Sequence, residues 1–257
     1  MKIHFLGTCA GTEPMPNRKH MSFVIESDGR LYWFDAGEGC SYTAHNMGLD
    51  LLRVKSIVIS HTHMDHIGGL ANLLWNVRKL RNVNKTKPLF GNIDLYIPNM
   101  DTWNAIYNLL LHTEGGYKVD FDLNAHKVSE GEVFSDSVMK ITALKNTHLP
   151  PSNTDAVDSY SYKIECEGKS IVYSGDVGKY SDMDAFFDEE RDAVIIETGH
   201  FGIDDVYGYL KDKRTQRIFF SHNGREILDF PKRSRQKVAS LFGDKAVICE
   251  DGMTVEL

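Results

Sequence analysis

Four metal-ligating side chains fall within six residues, His61, His63, Asp65 and His66, in the spacing H-x-H-x-D-H. Zinc and similar divalent cations take imidazole nitrogen and carboxylate oxygen in four- or five-coordinate geometry. In an extended stretch, side chains two apart point the same way, so His61 and His63 are placed to clamp one ion. Asp65 and His66 lie past a bend toward a helix and are placed to serve a second. A helix starting there adds partial positive charge, which favours an ionised Asp65 and an anionic substrate. The chemistry expected of such a cluster is metal-assisted hydrolysis.

Two ions need more ligands than one loop supplies. Three later residues stand in a common context, each directly behind an apolar strand-like run. His148 follows Ile141–Leu144, Asp176 follows Ile171–Tyr173, and His222 follows Ile218–Phe220. A single histidine behind a strand is commonly capped or solvated; the recurrence singles out these three. Glu197-Thr-Gly-His200 ends another such run, Ala193–Ile196, so Glu197 is expected near the site and His200 in contact with substrate or leaving group. Asp35 is expected to hold the site loop by hydrogen bonds. His20, His112 and His126 carry no motif and read as structural or surface residues. Gly7–Gly11 lacks the G-K-[ST] ending of a phosphate loop.

These residues need strands to deliver them. Lys2–Gly7, Met21–Ser27 and Arg30–Phe34 read as strands, the last two joined by the turn at Asp28-Gly29. A helix follows Asp35–Gly39 through Met47. Val54–Ser60 suits a buried strand, so the histidine cluster falls between a strand and the helix Leu70–Leu80. Leu95–Pro98 reads as a strand and Met100–Leu111 as a helix; Glu114–Val133 has no clear period. Val138–Leu144, Ser159–Cys166, Ser170–Tyr173, Ala193–Glu197 and Arg217–Phe220 read as strands. Helices are expected around Glu226 and over Ser234–Leu241, then short strands at Val247–Cys249 and Met253–Leu257. Two β-rich halves with helices outside form a four-layer αββα sandwich. No linker stands out, so residues 1–257 are expected to form a single domain.

Composition narrows the class. The chain has 257 residues, 42% hydrophobic and 25% charged, as in globular proteins with a full core. No apolar stretch approaches the ~20 residues of a membrane span, and Met1–Gly7 does not resemble a signal peptide. Four scattered cysteines, Cys9, Cys40, Cys166 and Cys249, read as free thiols in a cytoplasmic protein. The net charge of −7 argues against general nucleic-acid binding. The run Arg78–Lys87 is the best local basic stretch and reads as a solvated helix end.

The order strand–H-x-H-x-D-H–helix, then His, then Gly-Asp and Ser-His behind strands, resembles the metallo-β-lactamase superfamily. Gly7-Thr-x-Ala-Gly-Thr12 with Pro14 and Arg18, followed by Phe34-Asp-x-Gly-Glu-Gly39, resembles its ribonuclease Z and cyclic-nucleotide phosphodiesterase branch. The resemblance runs from Lys2 to Gly224 and implies an αββα fold with the site at one edge. It implies a first metal on His61, His63 and His148, a second on Asp65, His66 and His222, and Asp176 bridging both. The pair would share a water, lower its pKa from about 15.7 toward 7, and turn it into the attacking hydroxide, with Asp65 also orienting it. Related di-iron proteins usually carry Glu where this chain has His63, so two Zn2+ are expected, with Mn2+ second. In ribonuclease Z a Glu matching Glu197 belongs to a catalytic Glu/His pair. Family resemblance also points to a homodimer.

The departures bear on substrate. Ribonuclease Z enzymes usually insert a long tRNA-binding arm between the ligands matching His148 and Asp176; here only a hairpin fits. Ile196-Glu-Thr-Gly199 replaces the usual H-E-A-T. A phosphodiesterase acting on a small phosphodiester is therefore expected. The alternatives are a carbonyl hydrolase (lactone, thioester or lactam), an RNA- or DNA-end nuclease, and a non-enzymatic metal sensor or scaffold. Trp103–Phe121, with Tyr107, His112 and Tyr117, is expected to form a lid or dimer contact, or an ordinary helical layer.

Overall fold

The computed structural model describes residues 1–113, 116–149 and 158–257. In chain order, β1 (Lys2–Gly7), β2 (Ser22–Ser27) and β3 (Arg30–Phe34) precede α1 (Cys40–Asn46) and β4 (Val54–Val58). Then come α2 (Met64–Ile67), α3 (Leu70–Asn84), β5 (Asn92–Ile97), α4 (Met100–Leu111), β6 (Asp122–Lys127) and β7 (Gly131–Ser135). The second half holds β8 (Met139–Lys145), β9 (Tyr160–Cys166), β10 (Lys169–Tyr173), β11 (Arg191–Glu197), α5 (Ile203–Leu210) and β12 (Thr215–Ser221). It closes with α6 (Arg225–Asp229), α7 (Pro231–Phe242), β13 (Ala246–Ile248) and β14 (Met253–Glu256).

Two seven-stranded sheets result, ordered β14-β1-β2-β3-β4-β5-β6 and β13-β12-β11-β10-β9-β8-β7. The central strands are buried on both faces, which explains their near-continuous apolar runs. Alternate side chains enter opposite layers. On β3, Tyr32 and Phe34 face the core between the sheets, while Leu31 and Trp33 face α1 and α3. On β11, Ala193 and Ile195 face the same central core, while Val194 and Ile196 pack under α5 and α7. This is the expected αββα sandwich.

Three elements differ from expectation. β5 starts at Asn92, not Leu95, because Lys55 on β4 donates to Asn92 Oδ1 (3.0 Å) and Asp94 Oδ2 (3.3 Å), so a polar start is tolerated. The featureless middle contains the edge strand β6, where only Leu123 and Ala125 meet the core. Helix α5 arises from a stretch rich in Asp and Gly, because Ile203, Val206 and Leu210 all bury on one face. Residues 100–113 and 116–121 pack as part of the outer layer of the first sheet, the ordinary-layer alternative. Trp103 and Tyr117 are buried in the cluster outside the first sheet, and Tyr117 Oη donates to the Leu74 carbonyl at 2.9 Å. Glu114 and Gly115 lie outside the described residues. Among those described, no helix is long and apolar enough to cross a membrane.

Asp136 ties one sheet to the other. It sits in the β7–β8 turn and accepts from Arg30 Nη1 (2.8 Å) and Tyr32 Oη (2.9 Å) of β3, and from the Val138 and Met139 amides (2.8 Å each). Burial alone would raise its pKa; the four donors outweigh it and hold the carboxyl below the usual range. A depressed carboxylate contributes stability above its ordinary pKa and loses it as pH falls through the folded value. Asp136→Ala is expected to lower unfolding free energy by about 2 kcal/mol at pH 7. The difference from wild type should shrink as urea titrations move below pH ~4; a deficit that does not vary with pH would refute the carboxylate's role.

Candidate metal centre

Parallel strands deliver their carboxyl ends to one edge of a sheet, and ligand sites form in the crevice there. In the first sheet β3 and β4 run parallel; in the second β10, β11 and β12 do, and β8 shares their direction. Asp35 follows β3, Ser60 and His61 follow β4, and His148 follows β8. Asp176 follows β10, Glu197 ends β11, and His222 follows β12. The two edges face each other, so residues far apart in sequence meet in one crevice.

All seven expected ligands converge. His61, His63, His148 and Asp176 form one group, and Asp65, His66, Asp176 and His222 a second; within each, the donor atoms lie within 4.8 Å of one another. Asp176 belongs to both. A third group links Asp176 and His222 to Glu197 and His200. The donor set fits two divalent cations. His61 Nε2, His66 Nε2, His222 Nδ1 and Asp176 Oδ1 are buried without a hydrogen-bond partner, although buried polar atoms are normally paired.

The electrostatics agree. Burial pushes His61 and His148 below their ordinary values, leaving neutral imidazoles suited to ligation. Burial would raise Asp176, yet His222 and His66 overcome it and hold the carboxyl well below the carboxylate range. Asp65 is likewise held low against burial by His222 and His66. The carboxylates in turn push His222 up to about 10 against the cost of burial, Asp176 contributing most. The centre therefore demands positive charge.

Neighbouring residues set the orientations. Asp35, fully buried, accepts from Ser60 N (2.6 Å), Ser60 Oγ (2.7 Å), Tyr173 Oη (2.5 Å) and His66 Nδ1 (2.7 Å). Binding Nδ1 leaves His66 Nε2 for a metal, the usual carboxylate–histidine–metal relay. Asp35 holds this position with φ of 52°. Asn146 places His148 by accepting its amide at 3.1 Å. Glu197 accepts the Val177 amide (2.8 Å) beside Asp176, and its Oε2 accepts from His200 Nδ1 (2.8 Å), which raises the His200 pKa.

A cavity of about 210 Å³ opens over the centre, lined by His63, Asp65, Asp176, His200 and His222. Arg225 and Thr12 line it too, and glycine backbone at Gly11, Gly199 and Gly224 completes the wall. A Cβ at Gly11 would lie 2.9 Å from Asp65 Oδ2, and one at Gly199 2.5 Å from His222 Nδ1. Both positions need glycine because the chain passes against the ligands. His20, His112 and His126 lie outside this cluster; His20 Nε2 meets the Thr12 carbonyl at 3.2 Å, and His126 stacks on Tyr96. Cys9 is buried beside Thr12, and all four cysteines are unpaired. The basic run is partly neutralised, Arg81 and Lys87 both reaching Asp120. Sequence reasoning missed Arg225, which lines the cavity, and its ion-pair partner Glu13; neither carries a motif.

The family model described as anti-Pycsar protein Apyc1 matches residues 1–237. A ribonuclease Z of Methanococcus maripaludis is 32% identical over 86% of this chain and 86% of its own length. One from Methanothermobacter thermautotrophicus is 29% identical over 58% of this chain, which spans 45% of that relative. Among solved structures, the short form of human tRNase Z superposes with a TM-score of 0.73 at 20% identity, covering 100% of this chain and 99% of that one. A diphosphatase from the PhnP family gives 0.69 at 16%, covering 100% and 97%. Zn(2+)-bound PqqB from Methylobacterium extorquens gives 0.69 at 15%, covering 100% of both chains.

Asp35→Asn keeps size and tolerates the left-handed backbone but replaces one acceptor oxygen with an NH2 donor. It is expected to fold and to bind zinc about 10- to 100-fold more weakly, measured by competition with a chromophoric chelator. Wild-type affinity in a folded variant would show that Asp35 does not orient His66.

Proposed function

The chain belongs to the anti-Pycsar protein Apyc1 family, in the ribonuclease Z-like branch of the metallo-β-lactamase superfamily; from that premise we propose that it is a binuclear metal-dependent phosphodiesterase acting on a small phosphodiester. The observation that carries this reading is the pair of ligand groups sharing Asp176 beneath a cavity of about 210 Å³. His61, His63 and His148 would hold one ion and Asp65, His66 and His222 the other, with Asp176 between them. Zinc suits the imidazole-rich set, manganese less so. When bound, such a pair supplies Lewis acidity and activates water at neutral pH.

The chain's own residues do the rest. Asp35 keeps the His66 imidazole in its ligating orientation, and Asn146 holds the backbone that carries His148. Asp65, facing the cavity, can orient the attacking water. Glu197 accepts from His200 Nδ1, so His200 Nε2 is left to carry a proton to the leaving oxygen. The small cavity and the net charge of −7 favour a compact substrate over a folded RNA. We propose further that residues 1–257 act as one domain, that the protein is cytoplasmic, where its free thiols stay reduced, and that it is a homodimer.

Zinc- or manganese-loaded protein is expected to turn over bis(p-nitrophenyl) phosphate, and Asp176→Ala to abolish this. His200→Ala should lower kcat by about 10²- to 10⁴-fold with KM little changed. Absence of turnover in protein shown to hold two metals would sink the phosphodiester preference and bring lactones and thioesters forward. Selective cleavage of oligonucleotide ends with steep salt dependence would instead support the nuclease reading.

A further inference from the structure

We propose that Arg225 grips the phosphate of the substrate at the mouth of the metal cavity, and that Glu13 holds its guanidinium in place until the substrate replaces it. The proposal rests on the phosphodiester reading above. Arg225 begins α6 and lines the cavity with His63, Asp65 and His200; Ala10, Gly11 and Thr12 line it as well, from the loop paired with Asn223. Its guanidinium, unlike an ordinary imidazole, keeps its positive charge through neutral pH. Its Nη2 pairs with Glu13 Oε2, Nη1 lies 3.5 Å from Asp229 Oδ1, and Nη1 meets Met15 Sδ at 3.6 Å. The Glu13 pair thus joins the loop that carries Thr12 to the start of α6.

These two segments are held to a common frame. Asn223, two residues before Arg225, donates its amide to the Thr8 carbonyl (2.7 Å) and accepts the Ala10 amide (3.1 Å). Thr8 is fixed in turn by Asp251, which also accepts the Lys19 amide at 2.5 Å. The backbone does not need the Glu13–Arg225 contact for support. Both side chains are about half exposed, 63% for Glu13 and 48% for Arg225. An ion pair that wet is weak and exchanges readily. A guanidinium fork accepts phosphate with the same bidentate geometry as carboxylate, so a phosphodiester seated on the metals can take Glu13's place. In a protein of net charge −7, one cation at the mouth also offsets repulsion of an anionic substrate.

The test uses zinc-loaded wild type with Arg225→Ala, Arg225→Lys and Glu13→Gln. KM and kcat are measured with bis(p-nitrophenyl) phosphate, and inorganic phosphate affinity by calorimetry. Arg225→Ala should raise both KM and the phosphate Kd about tenfold, with kcat within about twofold and Tm unchanged. Arg225→Lys should recover part of the loss, and Glu13→Gln should lower KM about two- to threefold. Unchanged KM and phosphate Kd in Arg225→Ala would overturn the proposal while leaving the phosphodiesterase reading intact. So would a rise in KM for Glu13→Gln matching that for Arg225→Ala, since the pair would then be a structural clamp. If wild type turns over no phosphodiester but binds phosphate in an Arg225-dependent way, the anion grip stands and the reaction assignment fails. Wild type that neither turns over phosphodiester nor binds phosphate overturns both.

Discussion

One buried carboxylate holds the metal centre to the fold. Asp35 lies where the ends of β3, β4 and β10 meet, and it receives donors from each side: Ser60 behind β4, Tyr173 at the end of β10, and the ligand His66. An unpaired buried carboxylate would cost several kcal/mol; four short hydrogen bonds offset that cost only if both sheets keep their relative position. Its backbone is fixed as well, since Ser22 Oγ donates to the Asp35 carbonyl at 2.7 Å while accepting Trp33 Nε1 at 2.9 Å. Sheet packing and metal geometry are therefore coupled through one side chain.

That coupling explains how two half-sites become one. The first sheet supplies His61, His63, Asp65 and His66 from a single connection. The second supplies His148, Asp176 and His222 from three. Neither half fills either ligand group alone. Cations seated there would draw the sheets together in the same direction as the Asp35 bonds, so metal binding and sheet packing reinforce each other. The left-handed backbone at His222, φ 47°, belongs to the same economy: strain at a ligand persists where the surrounding structure over-determines it.

Most of the centre was legible in the sequence, for a physical reason. Parallel strands buried on both faces, such as β10 and β12, are apolar runs, and the residues behind them lie at the crevice, so Asp176 and His222 stood out by context. His148 follows β8, which is antiparallel to its neighbours and half-buried, and stood out by recurrence of the same position behind a strand. The lateral relations were not legible. Nothing in Asn92 or Asp94 announces that Lys55 will satisfy them. Nothing in the Asp- and Gly-rich start of α5 announces that Ile203, Val206 and Leu210 will share a buried face. Trp103 and Tyr117 seemed free to form a lid because a sequence does not say which layer an aromatic residue joins. Arg225 behind Gly224 has no signature at all; its partner lies on a loop more than two hundred residues earlier.

The pairing of β14 with β1 joins Lys2 to Glu256, and Asp251, just before β14, clamps the loop that walls the cavity. Asp251 accepts both the amide and hydroxyl of Thr8. During synthesis, then, the first strand emerges from the ribosome long before its outer neighbour and before the residue that anchors its following loop. Every proposed metal ligand is translated by His222, yet the Thr8 anchor of the cavity loop waits for Asp251. A ribosome-stalled chain ending between these points would carry all seven proposed ligands and an unanchored cavity loop.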